Sequence, residues 1–157
     1  MALLLSTSIY TQSFPKKTEF DKNWSNPKKF PDHILLNYSD DPAKTVSVTW
    51  RTNREINKGF GEIAEAQANP KFVLNSERFL AKTSNLRYSN VVNHYLNSKK
   101  SFNSLNHNYH SVTFTDLKPN TTYAYRVGDG KHWSEWIQFT TAHDTNEPFS
   151  FLYVGDA

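Results

Sequence analysis

The sequence predicts an all-β fold built as a two-sheet sandwich, and three observations carry that expectation. In 45–52, Val46, Val48 and Trp50 alternate with Thr and Ser, so one strand face is apolar and the other polar. The same period recurs at Val112 and Phe114, and again at Tyr123, Tyr125 and Val127. Between them Leu117-Lys-Pro-Asn-Thr-Thr-Tyr123 forms a turn. There Leu117 buries, Pro119 fixes φ and bars a central strand, and the Tyr123 hydroxyl can fold back onto the turn's backbone.

That last arrangement is the logic of a tyrosine corner, which makes the sandwich of fibronectin type III or immunoglobulin-like type. Taken in order, residues 1–14 are small and apolar and read as the rear of a secretory signal peptide without its basic start, which points to a secreted or periplasmic protein; an N-terminal strand or loose tail is the alternative. Residues 15–30 form a polar linker or strap. The sandwich spans 31–141. Its first strand, 33–38, sets Ile34, Leu36 and Tyr38 on one face before the turn at Asp40-Asp-Pro42. The second, 45–52, ends on Trp50, a large ring expected at the centre of the core. Residues 61–68 have helical propensity, but Gly59 and Gly61 before them and Asn69-Pro70 after them leave too little length, so 60–66 is expected as a strand. A further strand is expected in 78–83. Strands follow at 110–116, 121–128 and 133–141, with Gly128 and Gly130 supplying the positive φ of a tight turn.

Composition narrows the function. With 157 residues there is room for one domain and short flanks; aromatics at 15% and hydrophobics at 37% imply a core of few, large side chains. A net charge of +3 and a pI near 9.0, with Lys and Arg scattered, give no reason to expect a nucleic-acid partner. No apolar run reaches membrane-spanning length. The absence of cysteine removes disulfides, thiolate nucleophiles and zinc-cysteine sites. His94, His107 and His110 are the nearest approach to a metal constellation, within and just after a long Asn-rich loop over 84–109, but they lack matched carboxylates and the His107–His110 spacing fits neither a helix face nor a strand face. Three Asn-x-Ser/Thr triplets, at Asn23, Asn37 and Asn120, are what chance gives in so Asn-rich a chain.

Residues 142–148 form a polar linker, after which Phe149-Ser-Phe-Leu-Tyr-Val-Gly-Asp156 is continuously apolar, as a strand covered on both faces would be. Its Gly155-Asp156 puts a carboxylate at the carboxyl end of such a strand, where open α/β sheets hold ligands.

In this order, Pro31-Asp-His-Ile-Leu-Leu-Asn, Val46-Ser-Val-Thr-Trp-Arg-Thr52, the stretch from His110 to Gly130, Trp133-Ser134, Phe139-Thr-Thr141 and Phe149 to Asp156 resemble the N-terminal region of purple acid phosphatases. The resemblance implies a fibronectin-III-like domain followed by the first strand, 149–157, of a truncated α/β metallophosphoesterase domain. It implies that Asp156 descends from a ligand of a dinuclear centre of Fe with Zn, Mn or Fe, and that the parent enzyme acts on phosphate monoesters. The other ligands of that family have no position here, so this chain alone is expected to bind no metal and to be inactive. Trp50, Leu117, Pro119, Tyr123, Gly128 and Gly130 carry structural roles. A competing class is a stand-alone module whose Trp24, Trp133 and Trp136, or the long loop, contact a polysaccharide or a protein. Oligomeric state is left open.

Overall fold

The computed structural model describes residues 26–85, 107–150 and 152–155, and within them the fold is all-β. Eight strands run in chain order as β1 Asp32–Tyr38, β2 Val46–Asn53, β3 Phe60–Glu65, β4 Glu77–Leu80, β5 Lys82–Ser84, β6 His107–Phe114, β7 Thr122–Gly128 and β8 Ile137–Thr140; a 3-10 helix, Pro70–Asn75, precedes β4. They pair into two four-stranded antiparallel sheets, ordered β1-β2-β6-β5 and β4-β3-β7-β8.

The alternating faces meet between the sheets. Val46, Val48, Trp50, Val112 and Phe114 from one sheet pack with Ile63, Tyr123, Tyr125 and Val127 from the other, and Trp50 and Phe114 are fully buried. Ile34 and Leu36 of β1 join the core from its margin, but Tyr38, expected on the same face, is exposed. It sits at the end of an edge strand, where no opposing sheet reaches it.

The corner between β6 and β7 is a crossover and not a hairpin, since the two strands belong to different sheets. The Lys118 N–H donates to the Tyr123 hydroxyl at 2.9 Å. Thr141, almost fully buried, ties the same turn twice: its hydroxyl donates to the Lys118 carbonyl at 2.7 Å and accepts the Thr121 N–H at 3.0 Å. Asp116 and Asn120 hold φ of 59° and 45°, a region these short polar residues tolerate better than others.

Several expectations need correction. The strand expected over 78–83 is two strands. The chain leaves one sheet at Leu80 and enters the other at Lys82, and the Ala81 N–H between them donates to the Gly59 carbonyl at 2.9 Å. Asn69-Pro70, read as a helix stop, is instead a start: the Asn69 side chain accepts the Lys71 N–H, and Pro70 occupies the first turn, where no N–H is needed. β6 begins three residues earlier than expected, at His107, which puts that residue in a strand rather than in a loop. Of the two glycines assigned positive φ, only Gly130 has it, at 95°. Gly128 is required for space, because a Cβ there would lie 2.3 Å from the His132 carbonyl oxygen. Residues 133–136 are not strand, so β8 is short. The expectations for 1–14, for the linker as far as residue 25, for Trp24 and for most of the 84–109 loop lie outside the described residues.

Candidate functional site

Chemistry-bearing side chains gather in three places. The first is the outer face of the β4-β3-β7-β8 sheet. Register places Glu62 of β3 directly between Arg78 of β4 and Arg126 of β7. Glu62 Oε1 accepts from Arg78 Nε at 2.9 Å, and Oε2 accepts from Arg126 Nε and Nη2 at 2.7 and 2.6 Å. The Arg126 guanidinium lies 4.4 Å from the Trp133 ring and 4.8 Å from the Trp136 ring. Arg78 lies over Phe60 and Trp133 at 5.5 and 5.4 Å, and Phe72 meets Trp136 edge to face. Cations and aromatic faces thus alternate along this surface, with a buried carboxylate under them. The arrangement bears on the ligand-binding reading of Trp133 and Trp136: both half-buried indoles stack on Arg126, so a sugar ring stacking on that side would have to displace a guanidinium.

The second place is the β6 histidine pair. His110 is fully buried, its ring stacked on Trp50 at 5.2 Å. Both of its ring nitrogens meet threonine hydroxyls, Nε2 that of Thr52 at 2.8 Å and Nδ1 that of Thr83 at 2.9 Å. Burial pushes its pKa down to about 4. His107 lies three residues away, on the opposite face of the strand, and burial with the nearby Arg51 also lowers its pKa. The two imidazoles therefore point to opposite sides of one sheet and cannot share an ion. Both His110 nitrogens are already bonded. No group of three or more His, Cys, Asp or Glu side chains able to hold a metal occurs among the described residues. These residues do not fit a dinuclear centre.

The third place is a groove of about 570 Å³ beside the corner, floored by Ile63, Phe79, Leu117 and Tyr123. Lys118 and Glu65 bridge at 2.5 Å on its rim. At the other end of β7, the turn that follows the strand is organised by Asp129, whose Oδ1 accepts the Lys131 and His132 N–H groups. Burial opposes its charge, but these hydrogen bonds and the His132 ring outweigh that, so its pKa falls below the usual carboxylate value.

Of the residues singled out in the sequence, Trp50, Leu117 and Tyr123 lie in the core, Pro119 in the corner, and Gly128 and Gly130 in the turn leading to Trp133. Asp156 lies outside the described residues. Ahead of it, Phe149, Leu152, Tyr153 and Val154 belong to neither sheet and are 84%, 87%, 86% and 67% exposed. Sequence reasoning missed Glu62, Arg78, Arg126 and Thr141. The one available signal was the charged residue at the middle of an otherwise apolar Phe60-Gly-Glu-Ile-Ala64.

Comparison with known proteins places this geometry. The chain is similar in fold to a purple acid phosphatase, PPD1, isolated from yellow lupin (Lupinus luteus) seeds, with TM-score 0.54 and 18% identity over 73% of this chain and 20% of that one. The chain therefore spans about a fifth of the length of that enzyme. A fibronectin type III domain of human contactin 1 aligns over 92% of this chain and 99% of its own length, with TM-score 0.48 and 12% identity. No curated protein matches the sequence. The family described as the purple acid phosphatase N-terminal domain matches residues 31–141, the two sheets and the corner between them, and the chain belongs to that family.

Proposed function

We propose that this chain is the non-catalytic N-terminal sandwich of a larger metal-dependent phosphomonoesterase, and that the parent protein hydrolyses phosphate monoesters at a dinuclear centre of Fe with Zn, Mn or Fe. On this reading 142–148 is the linker and 149–157 opens the catalytic domain, with Asp156 as an ancestral metal ligand. Export, to the periplasm or the medium, belongs to the same proposal.

The observation that carries the reading is the exposed apolar tail. The family match ends at 141, and Phe149, Leu152, Tyr153 and Val154 follow it with most of their surface exposed. Four large apolar side chains within six residues constitute a surface that folding normally covers. The helices and sheet of a following α/β domain are the cover that the Gly155-Asp156 ending suits. A stand-alone carbohydrate-binding module is less well supported, because the Trp133 and Trp136 rings stack on Arg126.

The reading frame beyond codon 157 tests the assignment: Gly-Asp-x-x-Tyr, Gly-Asn-His and Gly-His-x-His motifs are expected, and a stop with no remnant of them would overturn it. The non-catalytic role is tested by incubating the purified chain with ferric and zinc or manganese ions and assaying an aryl phosphate from acidic to neutral pH. No turnover is expected, since a two-metal site needs ions roughly 3.5–4 Å apart in fixed ligand cages. Turnover abolished by Asp156→Asn would show a site assembled in another way.

A further inference from the structure

We propose that His110 is an acid-sensitive pin for the edge strand β5: neutral, it fastens β5 to the core through Thr83, and protonated, it releases that strand locally while the opposite sheet stays folded. The hydrogen bonds set the tautomer. The Thr52 hydroxyl lies 3.1 Å from the Asn53 carbonyl and donates to it, so toward His110 it acts as an acceptor of Nε2–H. That leaves Nδ1 as the lone-pair nitrogen, and the Thr83 hydroxyl donates into it. A proton added to the ring therefore arrives at Nδ1, the contact with β5. It converts the acceptor into a donor, and the Thr83 hydroxyl must turn away from the geometry that holds the strand.

The surroundings give the cation little help. From β2 the ring meets Trp50, stacked at 5.2 Å, and Thr52; from β5 it meets Thr83; from the β2–β3 connection it meets Gly59, where even a Cβ would come within 2.8 Å of Nδ1. Lys82 and Ser84 flank Thr83 and point to the other face of β5, as Arg51 does on β2. Asp129 acts from a distance to favour the charge and is outweighed by burial. β5 is the element able to yield. It has three residues, pairs on one side only, and sits at the sheet edge.

The sign and window follow from linkage. The folded pKa, about 4, lies below the ordinary 6.5, so a state with β5 released takes the proton more readily than the closed state. The bias toward closure is complete above pH 6.5, weakens as pH falls and is exhausted near pH 4. Released states thus gain up to about tenfold per pH unit across that window, with roughly 300-fold as the ceiling because Trp50 and Thr52 stay beside the ring.

Amide hydrogen exchange on the full 157-residue chain, corrected for intrinsic rates, reads this directly. Protection at 82–84 is expected to fall at least about tenfold between pH 6.5 and 4 while protection at 122–128 in β7 holds, and the imidazole carbon shifts of His110 should titrate over the same range. His110→Gln keeps polar atoms at the position and removes the titration, so its β5 protection should be independent of pH. Thr83→Val, the second variant, should leave β5 weakly protected at every pH. Constant β5 protection in the wild-type chain overturns the proposal. So does an equal fall in His110→Gln, which would point to His107, and so does simultaneous loss of β5 and β7, which would be global unfolding.

Discussion

Replacing Glu62 by glutamine is the sharpest test of how the outer face of the β4-β3-β7-β8 sheet is held. The change keeps the shape of the side chain and removes its charge. Glu62 accepts from both Arg78 and Arg126, and its side chain is 5% exposed while theirs are 52% and 29% exposed. A glutamine oxygen can satisfy one arginine, but its NH2 group then faces the other, donor against donor. Breaking a fully buried pair costs about 3–5 kcal/mol. Arg78 is half in water and recovers hydration, so its share falls to about 1 kcal/mol or less. Arg126 is enclosed by Trp133 and Trp136, and losing its charge-assisted bonds costs about 1.5–3 kcal/mol. The expected loss is therefore about 1.5–4 kcal/mol, read from urea midpoints at unchanged m-value with tryptophan emission as the probe. Trp133 and Trp136 should report the disturbance directly as a red shift in the folded state. A double-mutant cycle with Arg126→Met should show coupling above about 1 kcal/mol. A loss under about 0.5 kcal/mol, with additive effects in the cycle, would mean that the ladder is solvated decoration and does not hold the outer face.

Three further outcomes are expected. Tyr123→Phe should cost about 1 kcal/mol in denaturation midpoint, because the half-buried hydrogen bond from the Lys118 N–H at 2.9 Å is lost; no loss would detach the corner from the stability of the fold. Trp50→Ala should cost about 3–5 kcal/mol through lost burial and a cavity between the sheets, and a neutral result would contradict its place in the core. Deleting 143–157 should leave stability unchanged within about 0.5 kcal/mol and raise solubility measured by centrifugation, since Leu152, Tyr153 and Val154 are exposed and belong to neither sheet; a loss of several kcal/mol would place the tail within the sandwich.

What could be read from the sequence was whatever depends on period and on local turn chemistry. β2 announces itself because Val46, Val48 and Trp50 alternate with Ser and Thr, and the corner because Leu117, Pro119 and Tyr123 each have a single sensible use there. The two strands around Ala81 could not be separated in that way. A chain that changes sheets keeps its extended backbone, and the evidence for the change is a hydrogen bond from Ala81 to Gly59, 22 positions back. His107 was misplaced for a related reason: a histidine amid Asn and Ser has the composition of a loop, and only its pairing with Asn53 of the neighbouring strand β2 makes it part of the sheet.

The outer-face ladder marks the limit most clearly, because its parts are ordinary until they are registered. Glu62 opposite Arg126 and Arg78 is a statement about strand alignment, and sliding β3 by one residue would aim the carboxylate into the core and Ile63 into water. Register is fixed on the other side of the sheet, by Ile63 against Phe79, Tyr125 and Val127 between the layers. The apolar face thus chooses the alignment, and the polar face then adds what that alignment permits: two cross-strand ion pairs and the aromatic stacking on their guanidinium groups. It follows that disrupting the ladder should weaken the domain without changing its pairing. The Glu62→Gln chain is expected to keep the wild-type pattern of protected amides in β3, β4 and β7 at lower overall stability, and a shifted pattern would show that the charges, and not the core, set the register.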